Sequence, residues 1–567
     1  MKLDFDYVVI GSGFGGSVMS CRLVEKGYNV CLLERGRQWK MHEFPRRPHE
    51  IQDNMFWDPE DGKYGLMEFR DTPDSDVMTL TASGLGGGSL IYANVLYRMP
   101  EELFAGWPGG FTRNKLEPYY DKVISMMEAR PYPYNSDPYY KDTPKTTAMK
   151  NAAQQMQQNP ASLTPAEFQL PPLAVRFEGE FPGQQSLNAH GAVQSKCNKC
   201  GECDLGCNIH AKNTLDLNYI FRARHLKNST GTLDLRTQAE VSRIEQVGDH
   251  YKITFHVPQF PSQEIVLTAG KVIVSAGSVG STSLLLKMKQ KGHLPKLNNW
   301  LGQKWCGNGD LLGMVLNTKD YHDPTNGPVI TSAIKYSMKN YPDGFPHGMY
   351  LEDAGFPIGM AWYLSGKVPQ ITGIAGVLSL VCKTLKKYAC KVLRIKYKSE
   401  INVGDDFAAA LDRGTFTRRA MVLLGMGRDR SDGVVSLRDD GQTVINWDIK
   451  TSDLHFDRMR EEMKKVAENL NGTFMDNPLT HLDKVIAVHP LGGCPMGDSA
   501  DSGLVSPRGE VYGYEGLYVV DGSILPTSTG TNPSLTIAAV AEFIADQIPA
   551  KPSIVAASNL SVTQKNQ

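Results

Sequence analysis

The sequence predicts an α/β protein, α+β overall, in which a nucleotide-binding domain is interleaved with a substrate domain built on an antiparallel sheet and covered by helices. Three observations predict it. At the amino terminus a short apolar strand runs straight into a glycine-rich turn and a helix. In the middle of the chain, period-two segments read as antiparallel strands. Near the carboxy terminus a further strand and helix return to the first domain. At 567 residues, the chain exceeds one ordinary core and has room for a bound cofactor.

The elements follow in order. Residues 6–10 form the first buried strand, Gly11-Ser12-Gly13-Phe14-Gly15-Gly16 turns into a helix reaching Val24, and the strand Asn29 to Leu33 ends at Glu34. The spacing G-x-G-x-x-G between strand and helix, with an acid at the end of the next strand, is the Rossmann-like dinucleotide fingerprint. Its glycines permit the tight turn, the helix amino end offers N–H groups to a pyrophosphate, and the acid takes ribose hydroxyls. A second glycine cluster, Ser83 to Ser89, precedes an apolar strand expected over 90–95 that carries Asn94. Residues 130–172, rich in Pro, Gln, Tyr and Asn, read as an irregular lid. One strand is expected over Leu233 to Ile244, then Tyr251 to Val257 and Gly270 to Ala276, followed by a helix at Thr282 to Lys287. Strands near 330–338 and 348–351, helices after them and a helix at Met459 to Asn469 make the substrate domain. Gly516 to Val520 and Thr536 to Gln547 supply the returning strand and helix, and the polar tail from Lys551 reads as frayed. The expected organisation is therefore nucleotide-binding over 1–110, 231–309 and 476–550, a lid and cysteine-rich insertion over 111–230, a substrate domain over 310–475 and a tail over 551–567.

Lys plus Arg number 60 against 61 for Asp plus Glu, so no charge excess favours a nucleic acid partner. The opening M-K-L-D-F-D-Y-V-V-I reads as a strand rather than a signal peptide, and the apolar run near 371–382 is short of a membrane span, which gives a cytoplasmic expectation.

Chemistry concentrates near the carboxy terminus. His489 opens H-P-L-G-G-C-P-M-G, and Asn532 sits in T-G-T-N-P-S-L-T. A histidine can accept a hydroxyl proton while an amide orients the same oxygen, so the two, brought to one redox centre, would form an alcohol-oxidising site. Asn532 could instead cap the helix that follows it.

Together the strand and G-S-G-F-G-G with Glu34, the G-L-G-G-G-S loop, S-A-G-S-V-G-S-T, H-P-L-G-G-C-P-M-G, V-V-D-G-S and G-T-N-P-S-L-T-I resemble the glucose-methanol-choline (GMC) oxidoreductases in their cholesterol oxidase-like branch. The resemblance spans Tyr7 to Gln547 and implies FAD as cofactor. It implies that Gly11, Gly13, Phe14, Gly15 and Gly16 lie at the pyrophosphate and Glu34 at the adenosine ribose. Gly87, Gly88, Ser89 and Asn94 would line pyrophosphate and isoalloxazine, Val241 would meet adenine, and Asp521 with Gly522 the ribityl end. His489 and Asn532 would face the reactive flavin nitrogen. Glu352 in Y-L-E-D-A-G-F-P resembles the glutamate that moves a proton during double-bond isomerisation in sterol oxidases, with Asp353 as the competing carboxylate. The implied substrate is a sterol or other bulky apolar alcohol.

Cys197-x-x-Cys200-x-x-Cys203-x-x-x-Cys207 has ferredoxin-type spacing, with Asn208 where proline is usual; in two-cluster ferredoxins the fourth cysteine of such a run serves the other cluster, so with no second run here one ligand is either Cys207 or a distant cysteine, Cys306, Cys382, Cys390 or Cys494. An iron–sulfur cluster, zinc or another metal, and structural or redox-active thiols are the three readings; a cluster would hand electrons to a protein or quinone acceptor. An apolar then basic stretch over 371–398 reads either as buried and solvated helices or as a peripheral membrane contact. Two further function classes share the fold: non-redox lipid chemistry, as isomerase or photodecarboxylase, and an electron-transfer or redox protein centred on the cysteines.

Overall fold

The computed structural model describes residues 2–71, 75, 77–158, 166–227, 229–340, 346–356, 418–477 and 484–552. Its first strand, Phe5–Ile10, is flanked in parallel by Asn29–Glu34 and by Ile265–Val274. Val8, Val9, Leu32 and Val272 are fully buried there, as unbroken apolar runs in a sheet covered on both faces should be. The helix Phe14–Glu25 returns the chain across one face. The long strand at 265–274 serves two neighbours on one side: its first half pairs antiparallel with His250–His256, and its second half pairs parallel with Leu517–Val519. Segments separated by hundreds of residues thus close one seven-stranded sheet. Arg22 holds the closure, donating through Nε and Nη2 to the two carboxylate oxygens of Glu542 at 2.8 and 2.7 Å, on the last helix, Ser534–Gln547.

The expected strand over Leu233 to Ile244 is two. Thr232–Thr237 pairs parallel with Asn29–Glu34, and after a left-handed turn residue, Gln238 (φ 54°), Glu240–Val247 pairs antiparallel with His250–His256. The alternation that suggested one strand runs across the turn because both pieces are half-buried. The strand expected over 90–95 is also absent: Gly87–Leu90 is a short 3₁₀ turn, and only Val95 makes a bridge, to Leu173.

The second sheet has six antiparallel strands in the order 473–476, 311–316, 421–427, 346–354, 333–340 and 166–169. One face packs on two helices, Asp453–Asn469 and Pro144–Gln158. The second of these falls inside the expected irregular lid, which is a correction. Ala148, Met149, Ala152, Ala153 and Met156 are buried at helical spacing; the small alanines between glutamines conceal that stripe. The amphipathic stretch at 371–398 lies outside the described residues. Among the described residues no helix is long and apolar enough to cross a membrane.

Candidate functional site

The glycine turn is built for close approach. A Cβ on Gly15 would stand 1.7 Å from the carbonyl oxygen of Val520, and one on Gly11 2.3 Å from that of Ser275. These two positions pack the turn against the neighbouring strand ends. Gly13 and Gly88 differ: a Cβ on either meets nothing within 4 Å. They face open space between two glycine loops that touch each other, since a Cβ on Gly87 would be 2.7 Å from Gly13 Cα. The residues present therefore fit a dinucleotide, with Gly13 and Gly88 leaving the room a pyrophosphate requires. A clear outcome follows. Gly13 has φ −69° and ψ −167°, open to any residue, so Gly13→Val should leave the fold and melting temperature of apoprotein intact while lowering flavin content at least tenfold; unchanged flavin content would refute the assignment.

Glu34 sits beside that turn. Its Oε2 accepts from Ser12 N and Oγ at 3.0 and 2.6 Å, and its Oε1 from Gly36 N at 2.9 Å. Ala239 N donates to the Glu34 carbonyl, bringing Val241 to the same end of the sheet, where the pairing with 250–256 is bulged. Phe14 stacks edge-on against Tyr92. Two expected contacts are internal braces. Ser89 Oγ donates to Gly86 O and accepts from Leu215 N. The Asp521 carboxylate accepts from Gly277 N, Ser281 Oγ, Ser523 N and Ser523 Oγ, tying the helix at 277–290 to the turn at 522–524. Only backbone at 521–522 is left for a ligand there.

The turn that carries His489 is laced to this segment, with Gly492 N bonding to Gly522 O and Cys494 N to Ser523 O. A loop missed in the sequence fixes the histidine itself. Asp310, buried just before the strand at 311–316, takes His489 Nδ1 on Oδ1 at 2.8 Å, and Val488 N and His489 N on Oδ2 at 2.8 and 2.9 Å. A carboxylate only accepts, so the ring proton is on Nδ1 and Nε2 is the acceptor. Two residues earlier, Asn308 Oδ1 accepts from Thr529 N and Gly530 N, and its Nδ2 donates to Thr531 O, directly before Asn532. The single loop 308–310 thus sets both members of the pair. The glycine-flanked polar string G-N-G-D was the available signal.

Asn532 makes no capping bond to the helix that follows. Its Nδ2 donates instead to Glu352 Oε2 at 3.4 Å. Alternation along the strand at 346–354 puts the two carboxylates on opposite faces. Asp353 shares the face of Met349 and Leu351, toward helix 144–158, where Thr331 N and Ser332 N donate to it and Lys145 Nζ lies 3.6 Å away. Glu352 shares the opposite face with Tyr350 and Ala354. Burial pushes its carboxyl well above the usual range, opposed by the Asn532 bond and reinforced by Asp353 and Asp310, which favours the neutral, proton-carrying form. Glu352 Oε1, Asn532 Oδ1 and Tyr97 OH are buried without a hydrogen-bond partner. Tyr97, also missed in the sequence, lies within electrostatic reach of Glu352. Such a set of unpaired groups is expected where a ligand completes the bonding.

Behind the loop at 308–310, burial raises Asp429 from the ordinary 3.8 to about 7. The folded state then holds a proton that the unfolded chain has released, so this group's stabilisation is complete below about pH 4 and is lost as pH rises through about 7. Asp204 and Asp216, each raised by burial to about 6, act in the same direction. Asp429→Asn should therefore flatten the fall in stability between pH 5 and 8, by roughly 2–4 kcal/mol at the alkaline end; identical pH slopes in denaturant melts would contradict it.

Cys197, Cys200, Cys203 and Cys207 come together around one cavity, none in a disulfide. Among the described residues no group of three or more His, Cys, Asp or Glu is arranged to hold a metal ion.

Comparison with known proteins agrees with this geometry. The profile of the GMC oxidoreductases matches residues 429–541, and that of the NAD(P)-binding Rossmann-like domain matches residues 9–64. A cholesterol oxidase of Acinetobacter baumannii is 28% identical over 97% of this chain and 95% of its own length. A long-chain-alcohol oxidase of Arabidopsis thaliana is 23% identical over 96% of this chain and 68% of its own. The crystal structure of pyridoxine 4-oxidase from Mesorbium loti superposes with a TM-score of 0.61 at 15% identity, covering 97% of this chain and all of that one, which establishes the shared fold. With the nucleotide turn, the His489 segment and the full-length likeness in agreement, the chain is similar to the GMC oxidoreductases over nearly its whole length and is an oxidoreductase acting on alcohols.

Proposed function

We propose that the protein is an FAD-dependent enzyme that oxidises a hydroxyl of a sterol or other bulky apolar alcohol, and that Glu352 carries the proton of an accompanying 5-ene to 4-ene shift. One observation carries the reading: Asp310 holds His489 with Nε2 free as an acceptor, and Asn532 bridges to a buried glutamic acid. Bound noncovalently, FAD supplies the hydride acceptor. His489 Nε2 accepts the hydroxyl proton, and Asp310 offsets the charge that the ring gains. Asn532 has an unpaired Oδ1 to orient the same hydroxyl. Glu352 lies among Tyr350, Ala354, Leu424 and Met426, apolar surroundings that suit a ring system and keep water from the proton in transit. The relatives named for cholesterol and for long-chain alcohols support an apolar substrate.

Anaerobic titration of the purified yellow protein with cholesterol, other sterols and long-chain alcohols tests this. Bleaching of the flavin band by a sterol at micromolar concentration is expected, with weaker bleaching by linear alcohols. Bleaching by no alcohol would sink the proposal, and bleaching by linear alcohols alone would remove the sterol from it.

A further inference from the structure

The cysteine cavity is unused by the chemistry above, and its construction is specific. Cys197, Cys200, Cys203 and Cys207 stand around a pocket that Val175, Ile209, Pro328, Glu202 and Lys212 also line. Backbone N–H groups already point at sulfur: Lys199 N at Cys197 Sγ, 3.5 Å, and Ala211 N at Cys207 Sγ, 3.2 Å. The loop needs left-handed residues at Lys199, Gly201 and Gly206 to wrap the pocket. It is also covered. Asn208 exchanges two hydrogen bonds with the backbone of Phe44, and Arg46 donates to the carbonyls of Leu205 and Gly206. Gly206 is where the Phe44 ring lies, so close that a Cβ would stand 2.0 Å from it. Inside, the buried Lys212 Nζ donates to Cys203 O at 2.8 Å and to Leu90 O at 3.0 Å, joining the cysteine loop to the glycine loop that ends at Leu90.

Among the described residues the four sulfurs are not already arranged around one metal position, so metal binding would have to draw them together. Four thiols around one small pocket, with backbone N–H donors to sulfur and the buried Lys212 beside them, form an all-cysteine donor set of the kind that holds an iron–sulfur cluster. We propose that Cys197, Cys200, Cys203 and Cys207 bind an iron–sulfur cluster. The site adjoins the alcohol site: the Asn94 side chain hydrogen-bonds the Cys203 thiol, and Asp204 lies within electrostatic reach of His489. Resting on the alcohol-oxidising reading, the cluster is then the outlet for electrons. Each alcohol oxidised to a carbonyl releases two electrons and two protons; a cluster held by these cysteines would supply one-electron transfer from the reduced flavin to a quinone, which takes up both electrons and two protons.

The full-length protein, prepared without oxygen and reconstituted with ferrous iron and sulfide, decides the matter. Expected are about four iron and four acid-labile sulfide per chain and a paramagnetic resonance signal on dithionite reduction. Cys203→Ser should lose iron, sulfide and signal, while Cys21→Ser, a buried thiol of the first helix, keeps them. Less than one-tenth of that iron and sulfide in the wild-type protein, equimolar zinc, or a disulfide among the four in peptide mass maps would overturn the proposal without reference to any variant's folding. Flavin bleaching by alcohol is scored on the same sample. A cluster in a protein that no alcohol bleaches leaves the site standing and removes its assigned electron source.

Discussion

His489→Ala is expected to lower the rate of anaerobic flavin reduction by about 10²–10⁴-fold, the usual contribution of a positioned base, with flavin content unchanged. Asp310→Asn should lower it by about 10²-fold, although Asp310 stands behind the histidine. The reason is a count of acceptors. Asp310 receives the ring Nδ1–H on one oxygen and two backbone N–H groups on the other. An asparagine has one acceptor oxygen, so either the ring or the backbone of 488–489 must face an amide N–H, donor against donor. The double variant His489→Ala, Asp310→Asn separates positioning from general structural damage. If Asp310 acts through His489, the double variant is no slower than His489→Ala alone. Additive losses in stopped-flow reduction would show that Asp310 acts elsewhere.

That dependence also explains what could be read from the sequence. Gly11 to Gly16, Glu34, His489 and Asn532 were legible because each lies in a short string whose spacing alone implies geometry: a strand-to-helix turn, or a polar residue followed by proline. Asp310 and Asn308 were not, since their roles exist only once the strand at 311–316 runs beside the turn at 488–493. Nothing local in G-N-G-D states that its partners lie 179 and 221 residues away. The helix at 144–158 was hidden by composition, its buried alanines interspersed with glutamine and asparagine. The residues from 233 to 244 alternated as one strand would, and the break at Gln238 depends on a positive φ that glutamine rarely signals. By contrast, Glu352 was preferred to Asp353 on a short motif alone, and strand parity, which needs the sheet to say which face is which, puts Glu352 on the side of Asn532.

Glu352→Gln bears on the finer part of the proposal. A glutamine keeps the size and the acceptor that Asn532 Nδ2 bonds at 3.4 Å, so the pair stays in register, but the side chain no longer takes up or releases a proton near neutral pH. Burial already favours the neutral form of Glu352, so the amide reproduces its charge and changes only its capacity to exchange. With a 5-ene sterol, flavin reduction should stay within about tenfold of wild type, whereas conversion of the 5-ene-3-ketone to its conjugated isomer should fall at least about 10²-fold. The unconjugated ketone should then accumulate, visible as a missing ultraviolet absorbance of the enone. Asp353→Asn tests the same strand on its other face. There Asp353 pairs with Lys145 and braces 331–332, so this variant should lower the melting temperature because Lys145 is left buried without its counter-charge. Conjugated product from Glu352→Gln at the wild-type rate would assign the proton shift to another group and leave Glu352 as an orienting acid for Asn532 alone.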